Sequence, residues 1–183
     1  MKRQPSVRII GGKWQRRKVS FTASKEIRPT GDRIRETLFN WLRHDITGAR
    51  CLDLFSGTGI LGIEALSRGA SSITFIEQNK VTAAQLEHNL SLLGADHFVL
   101  QVSEAITYLK TTEHVYDIIF LDPPFGGNHL IQALETIIER KLSRGFIYIE
   151  TGSLSSFNLL PDNCQIYRQK KAGLVNYGLI TTA

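Results

Sequence analysis

From residue 50 onward, short runs of apolar residues alternate with stretches whose apolar positions recur at helical spacing. The runs predict strands at 50–55, 72–77, 97–102, 116–121 and 145–150. The periodic stretches predict helices at 58–67, 80–93 (capped by Asn79), 104–110 and 130–140. Strict alternation of strand and helix, with strands apolar on both faces, requires a mostly parallel sheet covered by helices on both sides, an α/β, doubly wound fold. Two more strands, 164–171 and 177–182, flank a Gly- and Asn-containing turn and predict a closing antiparallel hairpin. Upstream, 6–21 reads as two short strands around Gly11-Gly12. Ile34, Leu38, Trp41 and Leu42 then follow the spacing i, i+4, i+7, i+8, a helix with Thr30 or Asp32 as its cap. The chain thus divides into an N-terminal hairpin extension, residues 1–24, and a body, residues 25–183, within one compact domain.

Charge changes this picture at one end only. Residues 1–36 hold eleven Lys and Arg against three acids, whereas the other 147 residues hold eleven basic and fourteen acidic side chains. A basic segment on a mildly acidic body suits a phosphate backbone, with Arg8, Lys13, Arg16, Arg17, Lys18 and Arg33 as the candidate contacts. Val7, Ile9, Ile10, Trp14, Val19 and Phe21 interleave with these charges, which a disordered solubilising tail would lack. A length of 183 residues suffices to bury a core without staples. Cys51 and Cys164 show no paired spacing and read as small apolar strand residues, and the five histidines lack ligand spacing. No run is apolar enough for a bilayer span or a signal peptide, so a cytoplasmic, metal-free monomer is expected.

The first strand-to-helix crossing carries Asp53-Leu54-Phe55-Ser56-Gly57-Thr58-Gly59, with Gly62 completing a G-x-G-x-x-G spacing. Glycines there allow a tight turn and close approach of a ligand, and Glu77 at the next strand end can accept from ribose hydroxyls, a role Gln78 could share. Both features suit NAD and S-adenosylmethionine equally. Asp53 separates them, since a carboxylate in that place repels a pyrophosphate but suits an ammonium and a sulfonium. At the third strand end, Ser103-Glu104-Ala105 can reach an adenine amine, although Ser103 serves equally as a helix cap.

The fourth strand ends in Asp122-Pro123-Pro124-Phe125. Proline cannot donate to a ladder and fixes its own φ, so the chain leaves the sheet rigidly. The turn offers a carboxylate, a carbonyl and a flat ring: two acceptors for an exocyclic amine and a face on which its base can stack. Asp as a turn former with two prolines as punctuation is the alternative reading.

Taken together, these motifs resemble those of class I S-adenosylmethionine-dependent methyltransferases. More narrowly, Arg8-Ile9-Ile10-Gly11-Gly12, the stretch from Arg28-Pro29-Thr30 through Leu42, residues 53–62 and Asp122-Pro123-Pro124-Phe125 resemble the bacterial small-subunit rRNA guanine-N2 methyltransferases, the RsmD family. The resemblance implies a seven-stranded, mostly parallel sheet with its last strand antiparallel. It implies S-adenosylmethionine as cofactor and guanine 966 of 16S rRNA in the small ribosomal subunit as substrate. Asp53, Phe55, Ser56, Gly57, Thr58 and Gly59 would line the methionine end, Glu77 and Gln78 the ribose, and Glu104 and Ala105 the adenine. Arg28 and Thr30 would lie over the cofactor, and Asp122, Pro123, Pro124 and Phe125 would be catalytic. A DNA adenine-N6 or protein-glutamine methyltransferase shares the catalytic turn, but 183 residues leave no room for a separate DNA-recognition domain. A silent RNA-binding module would not need the intact cofactor residues.

Overall fold

The computed structural model describes residues 4–22, 30–124, 128–152 and 155–182. Strands β1 (Ser6–Arg8) and β2 (Lys18–Ser20) pair antiparallel as a sheet of their own, and helix α1 (Asp32–Trp41) follows. The body then runs β3 (Arg50–Asp53), α2 (Ile60–Ser67), β4 (Ser72–Glu77), α3 (Lys80–Leu93), β5 (Phe98–Val102), α4 (Ala105–Thr111) and β6 (Tyr116–Leu121). It continues through α5 (His129–Glu139), β7 (Ser143–Thr151), the one-turn α6 (Ser155–Asn158), β8 (Cys164–Ala172) and β9 (Val175–Thr182). These strands form one seven-stranded sheet in the order β5-β4-β3-β6-β7-β9-β8, in which β9 runs antiparallel to both its neighbours. This is the α/β, doubly wound, mostly parallel arrangement anticipated above.

The order follows from the crossovers. Parallel crossovers carry β3, β4 and β5 outward to one side, and the chain then returns to lay β6 against the free edge of β3. The reversal at β3 and β6 opens a crevice at the carboxyl ends of the central strands, where such sheets bind ligands. One core cluster joins α1, α2, α3 and the N-terminal hairpin to one face of the sheet, and the other face packs on α4, α5 and α6.

The N-terminal segment forms the two short strands expected around Gly11-Gly12, joined by a long connection. Nine residues separate β1 from β2, and Ile9 and Trp14 within them are buried. Glu64 draws this segment in. It lies in the otherwise apolar α2, is wholly buried, and accepts from the Ile10 amide at 2.9 Å and the Gly11 amide at 2.7 Å. Gly12 adopts φ 77°, and a Cβ there would meet the Ser67 carbonyl oxygen at 1.8 Å. Close packing against α2, not a hairpin turn, therefore demands the glycine.

The α1 cap differs from expectation. Gly31 takes the cap position with no side-chain bond to the helix, while Thr30 points elsewhere and Asp32 is the first helical residue. Glu104 rather than Ser103 caps α4, accepting from Ile106 and Thr107 amides at 3.1 and 2.7 Å. Cys51 is buried in β3 as expected, but Cys164 is only half-buried at the start of β8. No helix among the described residues is long and apolar enough to cross a membrane.

Candidate functional site

The carboxyl ends of β3, β4, β6 and β7 present four acids along one rim. Asp53 closes β3, Glu77 closes β4, Asp122 follows β6, and Glu150 stands one residue from the end of β7. Pairing of Leu121 with Ile149 sets Asp122 and Glu150 side by side on the sheet face that also carries Phe120 and Tyr148.

The glycine loop is built around two of these acids. Asp53 is 2% exposed, and its Oδ2 accepts from the Gly62 amide at 3.1 Å, tying the strand end to the first turn of α2. Glu77 accepts from the Gly57 amide at 2.9 Å and from the Asn79 amide at 2.7 Å. The Ser56 hydroxyl donates to the Asp53 carbonyl at 2.8 Å, and Thr58 is buried in the same turn. Gly57 and Gly59 hold φ of 51° and 73°, where glycine alone is unstrained. A Cβ on Gly59 would meet Leu86 Cδ1 at 2.3 Å, so the loop lies flat against α3. Phe55 is half-buried and meets the ring of His129 edge-on, with centroids 6.5 Å apart.

Burial pushes the Asp53 carboxyl up to about 7, with the Gly62 amide opposing the shift and Glu77 adding repulsion. A buried carboxylate with acidic neighbours calls for a cation. The loop therefore suits a ligand bearing ammonium and sulfonium groups, and the backbone left free by Gly57 and Gly59 gives it room. Gln78 is exposed at the same mouth. Farther along, Glu104 spends its carboxylate on the α4 amides, and Ala105 is buried as the first residue of that helix. Of this pair, only backbone atoms and the Ala105 methyl remain to face a ring.

The target side centres on Asp122. Its carboxylate is packed around by protein although part of the residue opens to the crevice, and its Oδ2 accepts from the Thr30 hydroxyl at 3.1 Å. No described residue claims Oδ1. Pro123 is buried and Pro124 exposed, while Phe125 and Arg28 lie outside the described residues. Burial and then Glu150 raise the Asp122 carboxyl well above the usual range, against the Thr30 bond that favours the ionised form. Glu150 is itself 5% exposed, accepts from the Tyr148 hydroxyl at 2.8 Å, and is raised mainly by burial. Burial opposes ionisation of both adjacent carboxyls, and the charge of Glu150 opposes it further at Asp122. Glu150 escaped the sequence reading because its neighbour is fixed by strand register; the available signal was an acid ending an apolar strand.

Arg35 and Glu64 were missed as well, and they hold the parts together. Arg35 is wholly buried and donates to the Thr30 carbonyl at 3.0 Å, Glu64 at 3.1 Å, the Arg8 carbonyl at 2.9 Å and Asp32 at 2.6 Å. Arg68 closes the network on Glu64 at 2.9 Å. One guanidinium thereby positions the residue that holds Asp122 and the strand that starts the basic hairpin. An acid inside an apolar helix was the visible sign.

The six basic residues expected at the RNA surface are all exposed, but they are not equally available. Arg16, Lys18 and Arg33 have no side-chain partner among the described residues. Arg8 pairs with Asp32 at 3.4 Å and Lys13 with Asp96 at 3.8 Å, exposed contacts of little strength. Arg17 instead donates to the carbonyls of Leu92 and Leu93 at 2.5 and 3.3 Å, holding the end of α3. An open groove of about 460 Å³ runs past Arg8, Lys18, Phe21 and Asp32 to Thr30, and so to the residue that grips Asp122.

Residues 7–181 match the family model described as conserved hypothetical protein 95. The ribosomal RNA small subunit methyltransferase D of Escherichia coli strain K12 is 39% identical over 175 residues, which cover 94% of this chain and 88% of that protein. A solved structure of a methyltransferase from Escherichia coli superposes with a TM-score of 0.88 at 38% identity, covering 97% of this chain and 98% of that one. A more distant methyltransferase, solved with SAH, shares the fold at 19% identity and a TM-score of 0.68, covering 88% of this chain and 51% of its own. With the motif loop, the rim carboxylates and the near full-length match in one chain, the protein belongs to the ribosomal RNA small subunit methyltransferase D family and is an S-adenosylmethionine-dependent methyltransferase.

Proposed function

We propose that this protein methylates the N2 amine of one guanine in 16S rRNA, position 966, on the assembled or assembling small subunit in the cytoplasm. The observation that carries the reading is the grip of Thr30 on Asp122, with Thr30 also lining the groove that runs from Arg8 and Lys18 of the basic hairpin. The curated relative named for small-subunit rRNA methylation supports the substrate class.

S-adenosylmethionine supplies an electrophilic methyl group on a sulfonium. The protein's task is to aim a poor nucleophile, since the amine's lone pair is delocalised into the base. Asp122 Oδ1 and the Pro123 carbonyl would accept the two amine hydrogens, favouring a pyramidal nitrogen with its lone pair directed at the methyl carbon. Thr30 fixes the carboxylate, and the rigid Pro123-Pro124 turn fixes the carbonyl. The sulfonium-bound methyl would pass to that nitrogen, with the Gly57–Gly59 loop and Asp53 holding its carrier. The product ammonium then releases one proton, which Asp122, raised by its neighbours, can accept. Phe125 would stack on the base once it leaves its helical stack.

Asp53 makes the cofactor side sensitive to pH. Ionising a carboxyl raised from 3.8 to about 7 costs the folded chain more than the unfolded one. Below 3.8 the group is protonated in both states; stability then declines as pH rises toward 7 and levels off above. A cationic ligand binds the ionised form, so cofactor affinity is expected to rise roughly 30-fold between about pH 5.5 and about pH 8. Calorimetry should show that rise, and Asp53→Asn should flatten it. An affinity independent of pH in the native protein would remove Asp53 from the cation site.

Labelled S-adenosylmethionine and small-subunit particles lacking the modification provide the test of function. Labelled N2-methylguanosine confined to one 16S rRNA fragment is the expected product. Label in adenine, DNA or protein would overturn the substrate assignment.

A further inference from the structure

The β8 edge carries Tyr167-Arg168-Gln169-Lys170-Lys171, all of them exposed. An alternating strand would send Arg168 and Lys170 to the same face as Ile166. It does not, because the pairing with β9 shifts between Ile166 and Arg168: Ile166 faces Ile180, but Arg168 faces Leu179 and Lys170 faces Tyr177. Leu179 and Tyr177 belong to the core cluster on the Asp122 side of the sheet, and Ile180 to the cluster on the opposite side. The bulge at Tyr167 thus turns two cations onto the catalytic face, the re-aiming that bulges accomplish near functional sites.

Register places these cations relative to the target site. Lys170 pairs with Tyr177, Tyr177 with Glu150, and Glu150 stands beside Asp122. Three strand spacings, roughly 14 Å, separate Lys170 from Asp122 along the rim. No described acid forms an ion pair with Arg168, Lys170 or Lys171. Tyr167 is 55% exposed, rests against Phe146 with centroids 5.0 Å apart, and carries the Arg168 guanidinium 5.3 Å from its ring centre. An exposed aromatic paired with arginine beside a free lysine matches the stacking and phosphate chemistry of single-stranded nucleic acid. Lysines on an edge strand also block edge-to-edge pairing, but that purpose requires no bulge and favours neither face.

We infer that Tyr167, Arg168 and Lys170 form a second RNA-contact surface, binding nucleotides that flank the target on the side of Asp122 away from the basic hairpin. The inference rests on the rRNA reading above. The RNA would then be held on both sides of the target base, which suits extraction of one base from its stack.

Lys171 serves as an internal control, because it pairs with Asn176 and faces the other side of the sheet. Binding of the unmodified 16S fragment would be followed by fluorescence anisotropy across a salt series, alongside methylation kinetics and cofactor calorimetry. Arg168→Gln/Lys170→Gln is expected to weaken RNA binding about 5- to 30-fold and lower the salt slope by about 1 to 2, with kcat and cofactor affinity unchanged. Lys171→Gln should stay within about twofold. Equal losses in both variants would reduce the effect to net charge and overturn the inference. So would a double variant that binds and methylates RNA like the native protein. A native protein that binds cofactor yet neither binds nor methylates this RNA would overturn the rRNA reading itself.

Discussion

Asp122→Ala is expected to lower methyl transfer by about 10²–10⁴-fold while cofactor affinity stays within about threefold. The asymmetry follows from geometry. The glycine loop proposed to grip the cofactor hangs on Asp53 and Glu77, whereas Asp122 is held by Thr30 on the proposed target side. Its removal takes away an acceptor for the amine and leaves the cofactor cradle intact. Asp122→Asn keeps an acceptor oxygen without the charge and should retain more activity than alanine. Thr30→Val should shift the pH profile of kcat to higher pH, because the bond favouring the ionised carboxyl is gone. Single-turnover assays beside calorimetry separate these effects. Full activity in Asp122→Ala would refute the assigned role.

Glu64→Ala and Arg35→Ala are each expected to cost about 3–5 kcal/mol of stability. Both side chains are wholly buried, so deleting Glu64 leaves Arg35 with only the half-exposed Asp32, and deleting Arg35 leaves Glu64 with only Arg68. Loss of Glu64 also strands the amides of Ile10 and Gly11, and loss of Arg35 strands the carbonyls of Thr30 and Arg8. Replacing both by methionine should recover only the part of the loss due to the unpaired buried charge, since the amides of Ile10 and Gly11 and the carbonyls of Thr30 and Arg8 stay without their partners. Urea unfolding of both single variants and the double variant gives the coupling directly. Single variants that each cost under about 1 kcal/mol would show that the network does not hold the hairpin. RNA affinity in the double variant is a separate readout, because the hairpin and Thr30 are positioned through the same guanidinium.

Much of the architecture was legible along the chain. The boundaries of β4, α3 and β6 agree with the pattern, since a continuous apolar run admits only a buried strand and Asn79 caps α3 with bonds to the amides of Val81 and Thr82. The tail hairpin was visible for the same reason, and β9 does run antiparallel. The glycine loop, Asp53, Glu77 and the Asp122 turn were found because each sits at a strand end announced by local sequence. Expectation failed where distant partners decide. The hairpin around Gly11-Gly12 is present, but its connection is held by Glu64, 53 residues from Gly11, which takes up the amides of Ile10 and Gly11, while Ser67 crowds Gly12. Thr30 has cap chemistry, yet its hydroxyl bonds Asp122, 92 residues away.

The division has one physical basis. Backbone propensity, hydrophobic period and turn stereochemistry act over a few residues, so the sequence by itself determined the α/β alternation, the glycine loop and the acid-proline-proline exit. Strand order, register and the burial of charge depend on which segments meet, and no local pattern encodes those meetings. Only the tertiary structure therefore decided that Glu150 stands beside Asp122, that Arg35 and Glu64 join the hairpin to the catalytic body, that Arg17 is spent on the end of α3, and that a single bulge turns Arg168 and Lys170 toward the catalytic face.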